Sequence, residues 1–351
     1  MEFQKRVFVA FLLSALIITV ASADCTCELE EVNSNNSTVL KYKLFALASI
    51  LIAGGVGVSL PFVGNIFPAL RPENDSFFLV KAFASGVILA TGFIHILPDA
   101  FENLTSPCLK EHPWGDFPFT GFVAMVATIV TLLIETSAAA YQLKVQTEAA
   151  AKLVGGDDQD VEKNRGNMDV HMHANHGHVH GLVLPSINES EVHRYRIVSQ
   201  VLELGIIVHS VIIGLSLGAS KNPETIKPLI VALSFHQFFE GLGLGGCIFQ
   251  ARIKSFAITL MGAFFTLTTP SGIVSGILVS NRYKENSTTA LILEGVLNAA
   301  SSGILIYMAL VDLLSPDFKN PRMQKSKMLL LGSNVFLLLG AGLMSLLAKW
   351  A

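Results

Sequence analysis

The informative residues of this 351-residue chain are the ionisable ones that stand where the sequence is otherwise apolar. Val208-His209-Ser210-Val211 and Phe235-His236-Gln237-Phe238-Phe239-Glu240 each sit inside a long hydrophobic run. An ionisable group at mid-depth in a bilayer costs about 2.5–3.5 kcal/mol on insertion scales, so it usually serves a function. His236 and Glu240 are four apart and project from one face of a helix. Two imidazoles with a carboxylate form a borderline donor set that suits Zn2+, and also Fe2+ or Mn2+. Ser210 and Gln237 stand beside these donors and can add oxygens. The plainer alternative is that each polar residue makes an interhelical hydrogen bond. That explains a lone histidine well, and two histidines with a glutamate poorly.

Further polar residues extend the pattern. His95 and Asp99, four apart, are expected at the outer end of their helix. Glu203 and Glu135 are expected in the inner halves of theirs, and Glu294 and Asp312 read as interfacial. No third histidine is expected at the midplane. His171, His173, His176, His178 and His180 fall in a polar stretch, where alternating histidines on a flexible chain make a loose metal chelator.

The elements that must position these groups are membrane helices. The chain is 51% hydrophobic and 15% charged, against roughly a quarter charged in soluble domains. Its apolar residues come in blocks of about 20, the length that crosses a hydrocarbon core of ~30 Å. Continuous rather than alternating runs favour helices over a barrel. Eight spans are expected at Leu44–Ile66, Phe77–Leu97, Phe119–Tyr141, Ile197–Ala219, Lys227–Phe249, Phe256–Val279, Ala290–Leu314 and Met328–Lys349. Glycines within them, as in Gly54 to Gly57 and Gly340 to Gly342, let helices approach closely in lipid. Depth arithmetic then joins the two signature segments. His209 lies roughly 18 Å past the inner edge of its span. His236 lies about 14 Å past the outer edge of its own, so both reach the midplane.

Residues 1–23 have the charged start, apolar core and small-residue end of a cleaved signal peptide. An extracellular segment, 24–43, follows; then helices one to three within 44–141, a cytosolic loop at 142–196, and helices four to eight within 197–351. Lys and Arg are more frequent on the loops that are cytosolic when both termini lie outside, as in Arg194, Arg196, Lys319 and Arg322. Asn35, Asn36, Asn103 and Asn286 begin glycosylation triplets on the expected outer side, and Asn188 begins one inside. Of the four cysteines, Cys25, Cys27 and Cys108 fall on the outer side and allow one bridge at most, while Cys247 reads as a buried residue. No basic footprint for nucleic acid is present.

Ile207-Val208-His209-Ser210-Val211-Ile212-Ile213-Gly214 and Phe235-His236-Gln237-Phe238-Phe239-Glu240-Gly241 resemble the signature helices of the zinc/iron-regulated transporter-like (ZIP) family. Phe93-Ile94-His95-Ile96-Leu97-Pro98-Asp99 and the His-rich loop match as well, and the likeness, closest to plant members, runs from about Leu44 to Ala351. The resemblance implies an all-α polytopic protein with eight transmembrane helices grouped three, two and three, and a metal site between helices four and five. It implies movement of Zn2+, Fe2+, Mn2+ or related ions such as Cd2+ into the cytosol, as substrate rather than cofactor. His209, Ser210, His236, Gln237 and Glu240 fall on transport positions, His95 and Asp99 on the entrance side, and Glu135 and Glu203 on the route inward. Ile213 and Gln237 stand where some relatives carry carboxylates, so one central ion is expected. The plasma membrane is the expected location, and a homodimer is compatible with the pattern. Two rival classes are an intramembrane zinc hydrolase, which lacks any His-Glu-x-x-His, and a metal-sensing receptor built on the histidine loop.

Overall fold

The computed structural model describes residues 36–65, 74–154, 187–280 and 287–350, and every regular element among them is helical. The signal peptide, the histidines at 171–180, Cys25, Cys27, Asn35 and Asn286 lie outside the described residues. Helix α1 spans Asn36–Ser59 and tightens into a 3-10 turn, Leu60–Asn65. Helix α2 is Asp75–Leu104, α3 Phe119–Val154, α4 Ile187–Ala219 and α5 Pro223–Gln250. Helices α6 (Ser255–Val279), α7 (Thr288–Phe318) and α8 (Lys327–Ala348) complete the bundle.

Several helices outrun the hydropathy blocks. α1 starts ahead of Leu44, α3 continues to Val154 and α4 begins at Ile187, so helix enters both flanks of the 142–196 loop. Polar turns add no apolar signal, yet they continue a helix without cost to its hydrogen bonds. Starts are marked by caps: Asn222 accepts from the Glu224 N–H ahead of Pro223, and Ser326 accepts from the Leu329 N–H.

Among the described residues, seven helices, α1 to α4 and α6 to α8, are long and apolar enough to cross a bilayer. α5 has the length, at 28 residues, but His236, Gln237 and Glu240 lower its hydropathy. It is also the helix least in need of an apolar surface, because Glu240 to Ile248 are all buried among its neighbours. α3 is the converse. Only 6% of its span is buried, and Phe122, Met125, Ile129 and Leu133 face outward, where lipid would lie.

Closely packed pairs hold the bundle: α1 with α5, α2 with α8, α4 with α6, and α3 with α7. Glycines set those approaches. A methyl placed on Gly57 would lie 2.1 Å from the Phe238 carbonyl oxygen, and one on Gly340 would lie 2.2 Å from that of Phe83. Gly342, by contrast, has nothing within 4 Å. Without water to squeeze out between membrane helices, such backbone contact is their main source of attraction.

Two helices contain a wide, π-helical turn: Thr91–Ile96 in α2 and Met308–Leu314 in α7. Pro98 and Pro316 each follow after one intervening residue. A proline lacks the N–H for the carbonyl four residues back and its ring crowds that carbonyl, so the preceding turn widens. The helix then continues past the proline instead of ending.

Candidate metal site

The continuation of α2 relocates His95. Expected at the outer end of its helix, it lies within the wide turn and packs against His209 of α4 and His236 of α5. The three imidazole centres form a near-equilateral triangle: 5.8 Å from His95 to His209, 5.6 Å from His95 to His236 and 5.8 Å from His209 to His236. The expectation of only two midplane histidines is therefore corrected. Three nitrogens at 2.0–2.1 Å from one zinc would bring the ring centres to about 5 Å, slightly tighter than this triangle. Among the described residues no three His, Cys, Asp or Glu side chains are already closed into a metal-holding group.

All three rings are buried, and Glu240 is 0% exposed. His95 Nε2, both nitrogens of His209, His236 Nδ1 and both oxygens of Glu240 have no hydrogen-bond partner. Leaving a buried polar atom unpaired costs about 1–3 kcal/mol, more when the group is charged. Such atoms are normally few and scattered. Here they crowd one place, where helices α2, α4 and α5 meet.

The oxygen donors are less uniform. Ser210 is buried on α4. Gln237 turns toward α1 and α6: Thr269 donates to its Oε1 at 3.3 Å, and its side chain lies against Gly54. Part of its acceptor capacity is thus taken. Glu203 is buried, 4% exposed, about two turns before Ser210 on α4. Asp99 is partly buried one turn beyond His95, and Glu294 of α7 lies near it. Glu294 is therefore one of a carboxylate pair with Asp99 as well as near a helix end.

Glu135 and Asp312 belong to a separate cluster. Tyr307 donates to Glu135 Oε2 at 2.7 Å, Arg194 Nε stands 3.6 Å from Glu135 Oε1, and Arg194 Nη2 is 3.1 Å from Asp312 Oδ1. Asp312, in the wide turn of α7, is 1% exposed and buried among its neighbours. Arg194, assigned to a loop by hydropathy, is a helical residue that joins α3, α4 and α7. Beside it Lys81 pairs with Asp317 at 2.9 Å, 6% and 13% exposed.

Asn298 of α7 was not singled out by sequence. It is 5% exposed, its Oδ1 is unpartnered, and its side chain reaches toward His209. Its signal was present but quiet: an uncharged amide within an apolar run.

Comparison with known proteins adds an independent finding. The family model described as ZIP Zinc transporter matches residues 40–348. Zinc transporter 8 of Oryza sativa subsp. japonica is 52% identical, over 88% of this chain and 87% of its own length. Zinc transporter 3 of Arabidopsis thaliana is 49% identical, over 99% and 98%. Probable zinc transporter 12 of Arabidopsis thaliana is 50% identical, over 100% and 99%.

Proposed function

The chain belongs to the ZIP zinc transporter family, in the company of plant members, and from that premise we infer that it carries Zn2+ into the cytosol through the three-histidine centre. It is an integral membrane transporter and not an enzyme. One observation supports the route most. Among the described residues, all but two of the buried side-chain polar atoms without a hydrogen bond belong to His95, His209, His236, Gln237, Glu240 and Asn298; the exceptions are Asp312 Oδ2 and Ser333 Oγ. A cation arriving there supplies the missing partner to imidazole nitrogens and carboxylate oxygens together.

In this reading α5 is the eighth span, the helices group three, two and three, and both termini lie outside. Asp99 and Glu294 gather the cation at the outer mouth. His95, His209, His236 and Glu240 replace its water at mid-depth, and Glu203 receives it on the inner side. One central ion suffices, because Ile213 and Gln237 offer no further carboxylate. Fe2+, Mn2+ and Cd2+ suit the same donors less selectively. An inside-negative potential of 100 mV adds roughly 4.6 kcal/mol of drive for a divalent ion. The histidines at 171–180 act as a transient cytosolic chelator, and the plasma membrane is the working location.

The test is radiolabelled Zn2+ uptake by zinc-uptake-deficient cells that express the chain, with surface protein measured in parallel. His236→Ala and Glu240→Ala should abolish uptake at normal surface abundance. Full-rate transport by a well-expressed Glu240→Ala protein would refute the central site.

A further inference from the structure

Three polar residues of α7, Asn298, Ser301 and Ser302, fall at spacings of three and four and share a face. Ser301 Oγ donates to the Gly205 carbonyl at 2.7 Å, one turn before His209 on α4. Ser302 Oγ donates to the Gly92 carbonyl at 3.0 Å, inside the wide turn that carries His95. α7 therefore grips the backbones of two histidine-bearing helices. One turn outward on the same face stands Asn298, about 15 Å into the helix from Thr288, near the middle of a ~30 Å core.

A neutral imidazole has one lone-pair nitrogen and one N–H. When the lone pair binds metal, the N–H needs an acceptor, and that acceptor fixes both tautomer and ring angle. Neither nitrogen of His209 makes a well-formed hydrogen bond, and the buried oxygen of Asn298, whose side chain lies within interaction range of that imidazole, has no other partner. Ser210 cannot serve as readily, since adjacent residues diverge by ~100° around a helix. Ser301 and Ser302 are already committed to carbonyls.

We propose that Asn298 is a positioning residue for the transport site, its Oδ1 accepting the His209 N–H so that the other imidazole nitrogen faces the metal. The assignment rests on the three-histidine centre being the transport site. It extends that centre to a fourth helix, α7, without making Asn298 a ligand.

The test uses the full-length transporter in liposomes, with Zn2+ as the probe and initial rates measured over a range of free metal. Asn298→Ala should raise the apparent KM about 10–100-fold, the usual cost of losing an orienting partner, with the maximal rate much less affected. Asn298→Asp keeps an acceptor at the same place and should recover most of the affinity. Asn298→Leu, nearly isosteric, should behave like the alanine variant and replaces it if the alanine protein fails to accumulate. An unchanged KM in the alanine or leucine variant, or equal losses in the leucine and aspartate variants, would overturn the assignment. His209→Ala is the companion arm. If it loses uptake while Asn298→Leu keeps a normal KM, only the role of Asn298 fails. If His209→Ala itself transports with normal KM, the site reading fails.

Discussion

Adding a single methyl at Gly218 should impair the transporter without altering any side chain of the metal site. Gly218 on α4 faces Gly276 on α6, and a Cβ there would lie 2.3 Å from the Ile273 carbonyl oxygen and 2.8 Å from Gly276 Cα. Ordinary contact begins at 3.4 Å, so the helices must part by about 3.4 − 2.3 = 1.1 Å. Both obstacles are backbone, and no side-chain rotation relieves them. Overpacking of this kind costs about 1–3 kcal/mol. The same movement pulls the Gly218 carbonyl from the buried Lys43 ammonium, now 2.6 Å away. His209 lies nine residues back along α4, and metal–donor distances tolerate only about ±0.2 Å. Transmission of even a fifth of the displacement therefore spoils the site. Gly218→Ala should melt several degrees lower in detergent and show a raised KM for Zn2+. Gly342→Ala is the control, because a methyl there meets nothing within 4 Å, and it should be neutral or slightly stabilising. Wild-type melting and wild-type KM in Gly218→Ala would refute the idea that α4–α6 contact sets the position of His209.

Three further outcomes are expected. Deleting Met168 to Gly181 should leave Zn2+ uptake running while altering its response to high cytosolic metal; a deletion protein that reaches the membrane but transports nothing would place the loop in the pathway. Uptake at fixed free Zn2+ and clamped voltage should fall as external pH drops from 7.5 to 5, because protons and metal compete for the same imidazole and carboxylate lone pairs; a steady rise toward pH 5 would indicate proton-coupled import instead. Lys81→Met should lower stability by about 3–5 kcal/mol, since it strands the 13%-exposed Asp317 without its cation. Thermal melting checks this, and restoration by Asp317→Leu in the same chain separates a lost pair from lost packing.

Much of the bundle was legible in the sequence, because a bilayer leaves few ways to satisfy a backbone. Of the eight expected spans, seven became helices long and apolar enough to cross a bilayer, and α5 fell short because the polar residues that stand out by their cost lower its hydropathy. His209, His236 and Glu240 were singled out in that way, and the two imidazoles that depth arithmetic paired do lie side by side, 5.8 Å between centres. His95 was misplaced for a physical reason. Hydropathy ended its helix near Leu97, whereas Pro98 widens the turn before it and lets the helix run to Leu104. Arg194 was lost in the same manner: charge reads as loop, although three helices share it. Asn298 escaped because a neutral amide is cheap to bury. Its importance depends on which imidazole it meets, and one-dimensional spacing does not encode that.

The two wide turns have the same lettering. Phe93 and Ile94 are 45% and 48% exposed and are followed by buried His95; Leu310 and Val311 are 45% and 40% exposed and are followed by buried Asp312. In each, two apolar side chains look outward and the next residue, an ionisable one, looks in. The extra residue of the π turn sets that phase. Removing one residue ahead of the turn, Ala90 for instance, would advance every later position by about 100° relative to the helix before it. His95 would then take the bearing of Ile94 and face lipid, at about 2.5–3.5 kcal/mol for a charged group on insertion scales. The centre is consequently more vulnerable to a frame-preserving deletion in α2 than to many substitutions there. A census of variants that counts only exchanges of one amino acid for another would miss its most sensitive dimension.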